Sequence, residues 1–387
     1  MTEVAVVGVG QTKFGELWNR SLRQLGTDAF NAALADAGVD RGGMQALYVG
    51  NMAAGYMVLQ EHLGALLADH CGIVPKPAVR CEGACASGAL ALRQAWLSIK
   101  SGLYDIVAVL GVEKMMDVTA TTAITGLMAA GDMEWEGASG LTFAGAYALM
   151  ARAHMNAFGT TAEQMALVSV NNHRNGMKNE FAQFRHEITA DDVLRSSRVA
   201  EPLGLLDCSP LSDGAACVVL ASDRVARRFE RPVWVLGSGQ GSASLSLAER
   251  PSIVEMPATR AAANDAWRQT GLSIKDVDVL EVHDCFSINE LIALEDLGFC
   301  AKGEGGRFVE RGAIALNGEI PTNTAGGLKA IGHPVGASGV RQIVDICRQL
   351  RGDAPNQLSG AERGLCLNIG GVGGTAVIHV LGAENGV

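Results

Sequence analysis

The feature that most constrains this chain is an internal repeat. Displaced by 248 positions, Gly88-Ala89-Leu90-Ala91-Leu92-Arg93-Gln94 falls on Gly336-Ala337-Ser338-Gly339-Val340-Arg341-Gln342, with identity at the Gly, Ala, Arg and Gln. Cys85 then falls on His333. A shift of 233 positions lays Leu47-Tyr48-Val49 on Leu280-Glu281-Val282, immediately before His283. Four identities in seven are within reach of chance for Gly/Ala-rich helices. The matched segments also keep one order of strand and helix, so we read the chain as two copies of one strand-loop-helix unit. Equivalent loops of such copies converge near the pseudo-twofold axis. Open α/β sheets place ligands there, at the carboxyl ends of strands, which brings Cys85, His283 and His333 into one cleft.

The pattern around these segments predicts an α/β fold. Val4 to Val9 and Ile106 to Val112 read as buried strands, Ala46 to Asn51 as extended, and Ser21 to Ala37 and Ala86 to Lys100 as helices. That alternation predicts a mainly parallel sheet. From about Met115 to Arg198 the rhythm changes, with helical stretches at Tyr147 to Phe158 and Ala162 to Asn172. The strand rhythm resumes at Asp213 to Ala221, and Arg224 to Arg231 reads as a linker closed by Pro232. The expected organisation is a first half formed by residues 1–114 and 199–228, an inserted loop domain at 115–198, and a second half at 229–387. With 387 residues there is material for several layers. Only 5% are aromatic and 48 are Gly, so small aliphatic side chains and close element contacts must build the core.

Net charge is −10, which gives no general attraction to nucleic acid or an anionic membrane surface. The longest apolar runs are strand-length, far short of the roughly 20 residues of a membrane span. The N-terminus opens into a strand without the pattern of a secretory signal, so a cytosolic location is expected. Nine cysteines, at 71, 81, 85, 208, 217, 285, 300, 347 and 366, lack paired CxxC spacing. Neither disulfides nor a metal is expected, and most of these thiols read as packed core.

Cys85 differs from the rest. It lies in Glu82-Gly83-Ala84-Cys85-Ala86-Ser87-Gly88, at the predicted start of a helix that would favour thiolate, among small neighbours that admit a substrate. It is either a nucleophile or a packed thiol; flanking Gly and Ala suit the first, and Cys81 suits the second better. His333 precedes Pro334 in a glycine-rich loop and can take a thiol proton. His283-Asp284-Cys285 ends an apolar strand; a metal site there lacks further ligands at suitable spacing, so His283 reads as a hydrogen-bond donor and Asp284 as a structural cap. Near the end, Gly370 can offer an amide to an oxyanion. The glycines of Gly370 to Gly374 match no nucleotide-binding fingerprint.

Together these blocks resemble the thiolase superfamily along essentially the whole chain. They are the segment around Cys85, Pro210 to Ala216 (PLSDGAA), His283-Asp284-Cys285-Phe286, Gly326 to Gly339 (GGLKAIGHPVGASG) and Asn368 to Gly374, in the family's order. The HDCF block, where the main branch has Asn-Glu-Ala-Phe, resembles the sterol-carrier-protein-type and archaeal-type branches. The resemblance implies a five-layer αβαβα fold with two similar halves and an inserted loop domain. It implies coenzyme A thioesters as substrates, with coenzyme A as substrate rather than as a bound cofactor, and dimers or dimers of dimers. A small zinc-ribbon/OB-fold companion is also implied. Asn368-Ile369-Gly370 stands where the main branch has an acid/base Cys-x-Gly, and Cys366 is two residues early, so the resemblance makes Cys285 the replacement acid/base.

The implied site is Cys85 as nucleophile, His333 as its base, His283 and His333 on the enolate oxygen and Cys285 on its carbon. Amides of Cys85 and Gly370, with Asn368 nearby, complete the oxyanion and substrate-binding set. A decarboxylating ketosynthase shares Cys-His-His but not Cys285. A retro-aldol lyase of the thiolase-like branch would lack the cysteine nucleophile, and a silent acyl-CoA-binding subunit would have no use for it. The segment Gly126 to Ala151 is expected near the acyl group, its Met128, Met133, Trp135, Leu141 and Phe143 suiting core packing as well as an acyl pocket, and Arg174, Lys178 and Arg185 are candidates for the CoA phosphates. The acyl chain itself is left open.

Overall fold

A computed structural model describes residues 2–384. The first half contributes β1 (Val4–Gln11), α1 (Leu22–Ala37), β2 (Leu47–Gly50), β3 (Ala78–Cys81), α2 (Ser87–Lys100), β4 (Ile106–Glu113) and, after a long excursion, β5 (Gly214–Ser222). The excursion holds α3 (Phe143–Phe158) and α4 (Ala162–Gly176). The second half contributes β6 (Val233–Ser242), α5 (Pro257–Thr270), β7 (Val279–Glu281), α6 (Ser287–Leu297), α7 (Val335–Arg351), β8 (Arg363–Gly370) and β9 (Thr375–Gly382). Helix starts follow side-chain chemistry: Ser21 caps α1 with Gln24 closing the box, and Thr161 with Gln164 does the same for α4.

The strands run β3-β2-β4-β5-β1-β6-β9-β8-β7. Continuity across the middle rests on Ala5 opposite Trp234 and Val6 opposite Val233 alone, so the sheet is two half-sheets joined at one seam. The order β2-β4-β5-β1 in one half returns as β7-β8-β9-β6 in the other. The counterpart of β3 is a single parallel bridge from Leu280 to Thr322. The repeat read from the sequence is therefore structural.

The sheet is mixed rather than mainly parallel. β3-β2, β2-β4 and β8-β7 are parallel, whereas β4-β5, β5-β1, β6-β9 and β9-β8 are antiparallel. No crossover helix separates β8 from β9. They form a hairpin through Gly370 to Thr375, where Gly371 and Gly373 take positive φ of 61° and 92°. β4 and β5 are the same pair with the excursion spliced into the turn. Asp213 staples that splice: it pairs with the buried Lys114 ammonium at 2.6 Å and accepts the amides of Met115 and Met116 at 2.6 and 2.9 Å.

Three helical layers sandwich the half-sheets, giving the five-layer αβαβα arrangement. α1 covers the outer face of the first half, α5 and α6 that of the second, and α2 and α7 fill the centre. Leu92, Ala95, Val340 and Ile343 pack with Val107, Val109 and Cys366 in that central layer, each Val, Leu or Ile side chain worth about 1.5–3 kcal/mol when fully buried. The two central helices touch backbone to backbone. A Cβ at Gly88 would lie 2.7 Å from the Gly336 carbonyl oxygen, so the small residues of the repeated motif are a packing requirement. α7 also buries a charge triad, Arg341 with Glu281 and Asp345, both at 2.7 Å. The excursion lies over the second half, where Tyr147, Met150, Met165 and Val168 join Ile288, Leu291 and Val372 in one core. Among the described residues no helix is long and apolar enough to cross a membrane.

Candidate active site

The loop from β3 to α2 delivers Cys85. Ala84 is forced to a positive φ of 53°, and Ser87 Oγ accepts the Gly83 amide and donates to the Ala84 carbonyl, holding the turn. Cys85 is 8% exposed and faces the amide of Gly371. Burial pushes its thiol up to about 12, with a further upward push from the buried Glu113 carboxyl. The expected pull of a helix start toward thiolate is outweighed, and the resting group is a neutral thiol.

His333 sits beside it in the loop before α7, its backbone amide held by Ser212 Oγ at 3.0 Å. Its Nδ1 lies 2.7 Å from Ser338 Oγ, and that hydroxyl spends its proton on the Pro334 carbonyl at 3.2 Å. Nδ1 therefore carries the ring proton and Nε2 presents a lone pair. Burial holds the imidazolium pKa down to about 3, so His333 is neutral. His283, at the end of β7, has the opposite tautomer: Asn368 Nδ2 donates to its Nδ1 at 3.1 Å, leaving Nε2–H as a donor. The rings meet edge to face with centroids 5.1 Å apart. Both Nε2 atoms are buried without a partner, and ligand atoms of Cys85, His283 and His333 lie within 4.8 Å of one another. One nitrogen accepts and the other donates, toward the same sulfur.

Cys285 joins Cys85 and His333 in the lining of a cavity of about 390 Å³, with Met115, Leu127 and Phe143 among its apolar walls. Burial raises the Cys285 thiol well above its ordinary value, so a thiolate formed there would be a strong base. Tyr147, marked in the sequence only by the helical stretch it opens, also lines this space. Its hydroxyl donates to the Gly371 carbonyl at 2.9 Å and lies against the Cys285 thiol, while its ring stacks on Phe286 at 4.6 Å.

Several expected placements change. Asn368 does not face substrate; it holds His283. The amide beside the Cys85 sulfur is that of Gly371, because Gly370 ends β8 with its α-carbon packed on the Gly83 carbonyl. Asp284 is a cap: it accepts the Leu328 and Lys329 amides at 2.6 and 3.1 Å, which start a short helix, and the Asn172 amide at 2.8 Å. Of the five side chains expected near the acyl group only Phe143 lines the cavity, and Trp135 is 75% exposed. Arg174, Lys178 and Arg185 lie outside it. A wider cleft of about 560 Å³ behind Gly83 and Ala84, with Arg80 and Glu82 in its wall, contains none of the reactive side chains.

Comparison with known proteins agrees along the whole length. Residues 4–224 match the family described as thiolase, N-terminal domain, and residues 239–383 match thiolase C-terminal domain-like. An acetyl-CoA acetyltransferase of Methanothermobacter thermautotrophicus is 50% identical over 382 residues, 98% of this chain and 99% of that one. Sterol carrier protein 2 of Bos taurus is 35% identical over 392 residues, 97% of this chain and 71% of its own length. Among solved structures, the Ltp2-ChsH2(DUF35) aldolase superposes with a TM-score of 0.86 at 27% identity, covering 100% of this chain and 99% of that chain.

Proposed function

The chain belongs to the thiolase family, and from that premise we propose that Cys85 is its nucleophile and that acetoacetyl-CoA and acetyl-CoA are its substrates. The activity is that of a thiolase, an acyltransferase that passes an acyl group between coenzyme A thioesters while making or breaking a carbon-carbon bond. The observation that supports the residue roles is the pair of unpartnered Nε2 atoms of opposite tautomer facing one thiol.

In the condensing direction, His333 Nε2 takes the Cys85 proton as the sulfur attacks acetyl-CoA, and the oxyanion is received by backbone amides, Gly371 foremost. Coenzyme A leaves with the proton of Cys285, whose thiolate then removes an α-proton from a second acetyl-CoA. The enolate oxygen is held by Nε2–H of His283 and of the now protonated His333. Its carbon attacks the acetyl group, Cys85 leaves as thiolate and regains its proton from His333. Two acetyl-CoA thus give acetoacetyl-CoA and free coenzyme A, and the reverse order is thiolysis.

Cavity size supports a short acyl group. About 390 Å³ lies near the low end of ligand pockets and must also hold the inner end of a pantetheine arm. The edge strand β3, with Val79 exposed, supports a homodimer paired along that edge. Resemblance to the Ltp2-ChsH2(DUF35) aldolase supports a small companion subunit. Thiolysis of 3-oxoacyl-CoA esters of increasing length, with and without such a companion, tests this reading. Turnover is expected to be fastest with acetoacetyl-CoA and to disappear in Cys85→Ala; preference for long or aryl chains would refute the assignment of substrate.

A further inference from the structure

We infer that Cys85, His283 and His333 together form a binding site for a thiophilic divalent metal of the zinc class, mutually exclusive with the thioester. Positions 85, 283 and 333 give no ligand motif along the chain, so only the fold assembles the set. Their ligand atoms lie within 4.8 Å of one another, all three residues are buried, and both imidazole Nε2 atoms are without a partner. Tetrahedral zinc with Zn–S of about 2.3 Å and Zn–N of about 2.0–2.1 Å needs ligand atoms roughly 3.3–3.8 Å apart. Closing the triangle by about 1 Å is within the reach of two ring rotations. Three ligands then leave a fourth position toward the cavity, for water.

His333 already presents its lone pair, because Ser338 fixes the proton on Nδ1. His283 presents Nε2–H and must change tautomer. Asn368 allows this: its Nδ2 bonds His283 Nδ1 while its Oδ1 is buried without a partner. Turning the amide over lets Oδ1 accept a proton on Nδ1 and frees the Nε2 lone pair. The ring proton moves between its own nitrogens, and the Cys85 thiol releases one proton to solvent as its sulfur binds the metal. The amide that makes His283 a donor in one state makes it a ligand in the other.

Anaerobic titration of the full chain with Co²⁺, an optical stand-in for zinc, tests the site without reference to turnover. One cobalt per chain is expected, with thiolate-to-cobalt charge transfer in the near ultraviolet, intense tetrahedral d–d bands in the visible, and loss of both on adding Zn²⁺. Cys85→Ser should abolish the charge-transfer band. His283→Ala and His333→Ala should each weaken binding by at least about tenfold, and Cys300→Ser, outside the cavity, should leave the spectrum unchanged. Asn368→Asp should tighten binding by about tenfold, because a carboxylate at Nδ1 fixes the ligand tautomer. The inference is overturned if a protein whose Cys85 is free by thiol titration shows no cobalt bands, or if the bands survive Cys85→Ser or loss of both histidines. Cobalt binding without thiolysis would refute only the proposed function, and thiolysis without cobalt binding only this site.

Discussion

The opposite tautomers of the two histidines make a prediction that separates the halves of the reaction. In His283→Leu the Nε2–H that receives the enolate oxygen is lost, while His333, Cys85 and the Gly371 amide stay in place. Removing one donor aimed at a developing oxyanion costs about 10²- to 10³-fold in rate, roughly 3–4 kcal/mol. Asn368→Leu removes only the 3.1 Å bond that biases the ring, a loss of roughly 1 kcal/mol or about fivefold. Acylation can be read alone, as exchange of labelled coenzyme A into acetyl-CoA, and carbon-carbon bond formation as acetoacetyl-CoA production. Both variants should exchange within about threefold of the parent, with condensation falling in the order parent, Asn368→Leu, His283→Leu. Circular dichroism should confirm that both remain folded. Equal losses in exchange and condensation for His283→Leu, or a larger loss for Asn368→Leu, would refute the tautomer argument.

Other consequences follow from the same packing. His379, buried with Nε2 on the Ala89 carbonyl, has its imidazolium pKa held down to about 4, so between about pH 6.5 and 4 the unfolded chain binds a proton that the native chain does not. That stability is present above pH 6.5 and is lost as pH falls; relative to neutral pH, His379→Gln should lose about 2 kcal/mol less than the parent by pH 5 in urea titrations. Arg341→Met would leave Glu281 and Asp345 buried and unpaired, a cost of about 3–5 kcal/mol in the same assay. Gly88→Ala would place a methyl group 2.7 Å from the Gly336 carbonyl oxygen and should destabilise by about 1–3 kcal/mol as α2 and α7 part.

What could be read beforehand follows from what a one-dimensional pattern can encode. Cys85 stood out because small residues flank it on both sides, and the repeat was visible because α2 and α7 meet through the same glycines in both copies. Strand polarity was misread because β4 and β5 are a hairpin opened by a long insertion, and alternation of strands and helices does not report where a crossover is missing. Tyr147 sits at a helical core period and has no local signal; its role comes from Gly371, 224 positions away. Asn368 shares its parity with Cys366, and Leu365, Leu367 and Ile369 point into the opposite core, so strand alternation could have directed it toward α7. That it meets His283 there depends on the parallel pairing of β7 with β8.

The central claim is that Cys85 becomes acylated. Purified protein mixed with acetyl-CoA, quenched in acid and examined by intact and peptide mass spectrometry, should show one acetyl group per chain on the peptide containing Cys85. The adduct should vanish on adding coenzyme A and be absent in Cys85→Ala. An acetyl group on another residue, or undiminished acetoacetyl-CoA thiolysis by Cys85→Ala, would contradict the account.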